Sequence, residues 1–261
     1  MMTALRNIAA LVEKEWRHYF GSPIAWVALF VWTMLFGGFF ALTFERFLMY
    51  SMRGGMEMGG PKMSLNDWVI GAVLHNMAVV ALFVTPMLTM RLFAEEKRSG
   101  TIELLSTAPI TDLQIVLGKF LGALSVYVLM LLASLPNFAL LWHYATVAPE
   151  WKPVASGLLA LLLLGGSFIS LGLFLSTLTR NQVVAGSLTF GLGLGFWILG
   201  WMDEPTAGPI TKVVVYLGLL THSEDLMKGV IDLKDVVYYL SFISFGLFLA
   251  HQSVTSQRWR A

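Results

Sequence analysis

The sequence predicts an all-α integral membrane protein with six transmembrane helices, on three observations. Hydrophobic residues make up 57% of the 261-residue chain and charged residues only 13%, against about 25% charged in an ordinary soluble domain. Mean hydropathy is +0.72. The apolar residues gather into runs of roughly 20, the length a helix needs to cross the hydrocarbon of a bilayer. Strand-like alternation is absent, which argues against a membrane β-barrel. The chain has no cysteine, which excludes disulfides, thiolate metal sites and cysteine nucleophiles. A net charge of +1 gives no case for a nucleic-acid partner.

The elements follow in order. Before the first span, residues 3–20 read as an amphipathic helix. Leu5, Ile8, Val12, Trp16 and Tyr19 recur at three- and four-residue spacing, and Arg6, Glu13, Lys14 and Arg17 take other faces. Such a helix lies in the membrane interface, with Trp16 at headgroup level. The spans are 24–43, 69–90, 120–142, 154–177, 183–201 and 236–252, the last the weakest. The first is not a signal peptide: Glu13 and Glu15 precede it, and no small-residue cleavage pattern follows.

An even number of spans puts both ends on one side. Segments 1–23, 91–119, 178–182 and 253–261 hold 10 Lys/Arg and 6 Asp/Glu; segments 44–68, 143–153 and 202–235 hold 7 and 10. The basic side is cytoplasmic by the positive-inside rule, so both termini are expected there. No segment between spans has room for a soluble catalytic domain.

The 91–119 loop is the most informative connection. Arg91 and Glu95 are spaced as an i,i+4 pair on a helix that continues the second span. Gly100 breaks that helix. A short apolar turn follows at Ile102, Glu103, Leu104 and Leu105, and Pro109 stops it. Thr111 with Gln114 forms a capping box, so the next helix starts near Asp112. The result is a built knob suited to contact. The plainer alternative is a solvated, salt-bridged hairpin.

Segment 202–235 carries Pro205, Gly208 and Pro209, then an apolar stretch from Val213 to Leu220 too short to span. It reads as a re-entrant or interfacial helix. His222, Glu224, Asp225, Asp232 and Asp235 follow; such a cluster is more often a solvated acidic face than a metal site. In the fifth span Ser187, Gly191 and Gly195 recur every four residues, a face for close helix packing within or between subunits, and Gly118 and Gly122 repeat the pattern. Intramembrane polar residues are His75, Asn76 and Asn137, the candidates for a translocation path. The chain has neither an HExxH zinc motif nor a phosphate-binding P-loop, so it is not itself expected to hydrolyse ATP.

The loop Glu95-Glu96-Lys97-Arg98-Ser99-Gly100-Thr101-Ile102-Glu103-Leu104-Leu105, with Pro109 and Gly118-Lys119, resembles the first intracellular loop of the ABC-2 type of ABC transporter permease. Lys14-Glu15-Trp16-Arg17, leading into Tyr19-Phe20-Gly21-Ser22-Pro23, resembles that family's elbow helix, and Lys228 to Tyr239 its segment before the last span. The likeness is greatest to the branch named for gliding-motility permeases. Ser223 departs from it, standing where an aromatic is expected.

The resemblance implies one transmembrane domain of the ABC-2, or type V, kind: an elbow helix, six spans and a cytoplasmic coupling helix. It implies the permease subunit of an ATP-driven exporter in the bacterial inner membrane. A second permease, identical or related, and separate ABC ATPase subunits would be its partners, with ATP and magnesium held by the ATPase and no cofactor by this chain. Glu95, Glu96, Gly100, Thr101, Ile102, Glu103 and Leu105 would couple to the ATPase, flanked by Trp16 and Arg17 of the elbow. A membrane anchor that recruits a cytoplasmic protein without transport is the competing expectation.

Overall fold

A computed structural model describes residues 2–54, 64–101, 110–145, 149–202 and 208–258, and among them no strand occurs. The helices are α1 (Met2–Gly21), α2 (Pro23–Gly54), α3 (Ala72–Thr89), α4 (Ala94–Ser99), α5 (Asp112–Leu132), α6 (Leu135–Tyr144), α7 (Trp151–Leu178), α8 (Gln182–Ile198), α9 (Pro209–Tyr216), α10 (Glu224–Met227) and α11 (Leu233–Arg258). A π-helical turn, Asn66–Gly71, leads into α3.

Among the described residues, five helical stretches are long and apolar enough to cross a membrane: Pro23–Met52, Asn66–Ser99, Asp112–Tyr144, Trp151–Leu178 and Leu233–Ser256. The sixth apolar helix, Gln182–Ile198, has 17 residues and is prolonged by a 3-10 turn, Leu199–Met202. Several helices outrun their apolar cores. α2 continues past Thr43 through Glu45 and Arg46 to Gly54, because nothing before Gly54 breaks it. The third stretch is interrupted between α5 and α6. Pro136 has no N–H to give to a preceding carbonyl, and Asn137 Nδ2 donates to the Ser134 carbonyl at the gap, 3.4 Å.

α7 is the central helix, packing against α3, α5, α8 and α11. Its glycines permit the approach. A Cβ on Gly157 would fall 2.2 Å from Leu74, one on Gly165 2.2 Å from the Tyr127 ring, and one on Gly172 2.2 Å from Thr89. Tyr127 fills the space at Gly165 and donates to the Leu161 carbonyl, 3.0 Å. The buried hydroxyls of Thr85, Thr89, Ser167 and Thr189 donate to carbonyls of their own helices. Polar groups in the core are thereby satisfied without water, as a bilayer requires.

α8 meets the rest of the chain through Gly186 and Gly193, where added Cβ atoms would touch Met90 and Leu82. Ser187, Gly191 and Gly195 lie on its opposite, exposed side, and a Cβ on either glycine meets nothing within 4 Å. Among the described residues nothing packs on the two glycines of that face.

Candidate functional site

The 91–119 loop leaves and re-enters the bundle beside α1, and that junction is where charged side chains concentrate. α1 lies along α5 because two glycines one turn apart open a groove. A Cβ on Gly118 would stand 2.6 Å from Leu11 Cβ, and one on Gly122 2.7 Å from Glu15 Cβ. The buried stripe of α1 is thus Leu11, Glu15 and Tyr19, an i,i+4 ladder. Of the apolar spacing, Tyr19 belongs to this stripe, while Leu5 and Trp16 lie beside it, 62% and 38% exposed. Trp16 nonetheless donates to Ser125 Oγ on α5, 2.5 Å. Arg17 pairs with Glu13 at the surface, 2.6 Å.

A carboxylate on a packing face must be compensated, and Lys119 does this. Its side chain is 1% exposed, and its ammonium lies 2.8 Å from Glu15 Oε1 and 2.9 Å from Glu96 Oε1. Lys14 reaches the same Glu96 oxygen, 2.8 Å. The ring of Phe93 sits 5.1 Å beneath the ammonium, a cation–π contact. Two cations and two carboxylates thus join α1, α4 and α5 at one point.

Further bonds extend the junction. Tyr19 donates to the Leu88 carbonyl near the end of α3, 2.6 Å. Burial first, and then the Glu15 carboxylate, hold the Tyr19 hydroxyl protonated well above the usual phenol range. Glu95 lies 3.7 Å from Arg91, the expected i,i+4 pair, and 3.3 Å from His18 on α1. The Phe93 and Ala94 amides donate to Ser176 Oγ of α7, 2.8 and 3.3 Å. Lys97 donates to the Thr177 carbonyl. Arg91 Nε donates to Gln182 at the start of α8, 3.2 Å. The base of the loop is therefore bonded to α1, α5, α7 and α8.

Local sequence sets the two exits from this base. Gly100 takes φ 73° and ends α4, a left-handed position glycine adopts at little cost. Thr111 caps α5: its hydroxyl accepts from the Gln114 amide, 3.3 Å, while Gln114 Oε1 accepts from the Thr111 amide, 3.4 Å. Asn7 of α1 donates to that same Gln114 oxygen, 3.2 Å. Beside the junction lies a cavity of about 520 Å³, lined by Lys14, Glu15, Glu95, Glu96 and Lys119 and rimmed by Ser99 and Thr101. Ile102, Glu103 and Leu105 lie outside the described residues.

Of the expected coupling residues, the structure therefore gathers Glu95 and Glu96 at the junction, lines the adjoining cavity with Thr101 and ends α4 at Gly100. The polar residues expected to line a path are not brought together. His75 is on the exposed face of α3 with Val79 and Phe83, Phe83 meeting Phe190 of α8 at 4.9 Å. Asn76 donates to its own helix at Ala72, 2.9 Å. Asn137 is occupied at the α5–α6 gap.

Two features escaped the sequence. Glu15 and Lys119 are 104 residues apart; the only sequence signal was a charge in register with Leu11 and Tyr19. His222 and Asp235, which the sequence pattern assigns to a solvated acidic face, are buried and paired at 2.6 Å.

Residues 9–210 match the family model described as ABC-2 family transporter protein. No curated protein matches the chain. The matched stretch runs from the buried stripe of α1 through the ion-paired junction to the start of α9, and the chain belongs to the ABC-2 transporter family, as one of its membrane subunits.

Proposed function

We propose that this chain is the permease of an ATP-driven exporter in a bacterial inner membrane, and that the junction around Lys119 transmits the work of a separate ABC ATPase. Family membership supports a transporter membrane subunit with an ATPase partner. The observation that carries the coupling role is the buried Glu15–Lys119–Glu96 arrangement, which ties the elbow helix to both ends of the loop. The segment from Gly100 to Thr107 seats on the ATPase. Ile102 and Leu105 supply its apolar contact, and Glu103 faces a basic group. ATP closes two ATPase subunits, and the segment each one holds is displaced. The elbow helix and the Glu95 and Asp112 ends of the loop follow, and they carry α3 and α5 with them. A cavity between this permease and a second one then changes the side on which it opens. ATP can shift that equilibrium only through contacts that differ between the two states.

The test is affinity purification from native membranes, scored for a co-purifying ABC ATPase and for ATP turnover in lipid. The wild type retains the ATPase. Glu103→Arg loses the ATPase or its coupled turnover, since like charges juxtaposed in an interface cost several kcal/mol, while membrane insertion is unaffected. Normal binding and turnover in Glu103→Arg would refute the docking role. A non-transporting anchor would bring down a partner with no ATP turnover.

A further inference from the structure

The connection from α8 to α11 is fastened by a buried ionisable pair that coupling does not use. The side chains of His222 and Asp235 are 5% and 3% exposed. His222 Nδ1 lies 2.6 Å from Asp235 Oδ1, and Nε2 lies 2.9 Å from the Tyr216 carbonyl oxygen. A carbonyl oxygen only accepts, so Nε2 carries a hydrogen. One more proton lies between Nδ1 and the carboxyl group. On nitrogen it makes an imidazolium and a carboxylate; on oxygen it leaves a neutral pair.

Three surroundings decide between them. Asp235 is in the first turn of α11, where the helix end favours a negative charge. Tyr216 ends α9, where carbonyls left without amide partners favour a cation. The ring of Tyr238 stacks on the imidazole at 3.9 Å and 21°, presenting its π face to that cation. Other titratable groups stand around the pair, and the Lys234 ammonium interacts electrostatically with Asp235 as well as with Asp232. Tyr216 and Tyr239 meet the imidazole edge-on at 4.8 and 6.4 Å. Lys234 pairs with Asp232 at 2.9 Å. Glu224 and Asp225 on α10, and Glu150 and Lys152 at the start of α7, are exposed.

We propose that His222 and Asp235 form an imidazolium–carboxylate latch that fastens the 217–232 connection to the first turn of the last span. The Tyr238 and Tyr239 hydroxyls donate to the Leu217 and Leu219 carbonyls, 2.8 and 2.6 Å, and hold the same connection beside it. The latch itself depends on the proton between His222 and Asp235. Removing that proton leaves a ring nitrogen lone pair facing an oxygen, and the attachment loosens.

The experiment is nitrogen NMR of the full-length protein in lipid nanodiscs with ¹⁵N-labelled histidine, the His222 signals being those missing in His222→Gln. At about pH 7 both His222 ring nitrogens carry hydrogen, and in Asp235→Asn an unprotonated ring nitrogen appears. An unprotonated His222 nitrogen in the wild type would overturn the proposal without recourse to any variant, as would unchanged signals in Asp235→Asn. The latch itself is read from a nitroxide at Leu217→Cys, a specific label because the chain has no cysteine. It is immobile in the wild type and mobile in Asp235→Asn; equal mobility in both overturns the latch.

Discussion

Lys119 is the residue on which the loop junction depends. Its ammonium is almost fully buried between Glu15 and Glu96. Lys119→Met keeps the length of the side chain, strands the Glu15 carboxylate and leaves Glu96 with Lys14 alone. Breaking a buried pair from one side costs about 3–5 kcal/mol, so a marked fall in the unfolding midpoint in detergent is expected. Adding Glu15→Gln restores part of it, because the stranded charge is removed. Arg17→Ala is the control. That pair is exposed, its side chains 80% and 64% accessible, and such pairs contribute about 0–1 kcal/mol. Equal losses in Lys119→Met and Arg17→Ala would show that burial does not distinguish the two pairs.

Among the elements, those fixed by local chemistry were legible in the sequence and those fixed by distant partners were not. Thr111 and Gln114 form a capping box within four residues, and α5 begins at Asp112 as that motif requires. Gly100 ends α4 for an equally local reason. The buried side of α1 is instead set by Gly118 and Gly122, far along the chain, and the apolar periodicity of α1 marks only Tyr19 of the Leu11, Glu15 and Tyr19 stripe. The same distinction separates the two glycine patterns. Gly122→Ala puts a Cβ 2.7 Å from Glu15 Cβ, and overpacking costs typically about 1–3 kcal/mol. Gly191→Ala meets nothing among the described residues and is expected to leave the folding of a single subunit unaltered. Thermal unfolding of both variants in detergent checks this; equal effects would mean that α1 does not lie in the Gly118–Gly122 groove.

At the scale of the molecule, composition alone announced a helical membrane protein, because too few charges exist to cover a soluble surface. The count of spans was less legible. Gln182–Ile198 has 17 residues and needs its 3-10 extension to lengthen, and the third span is two helices joined at Ser134. Topology rests on the excess of Lys/Arg in the segments that include 91–119. Reporter fusions at Ala261 and within 44–68 are expected on opposite sides of the membrane. The same side for both would contradict six crossings.

The central claim is that the ATPase moves α1, α4 and α5 as one piece. Asn7 Nδ2 and Gln114 Oε1 are 3.2 Å apart across the α1–α5 contact, and the chain has no native cysteine to interfere. Asn7→Cys with Gln114→Cys, bridged by a short bifunctional thiol reagent in the permease–ATPase complex, locks the elbow helix to α5. ATP turnover in lipid before and after bridging is the measurement. A single moving piece predicts the same turnover in both, and a fall to background on bridging would contradict it.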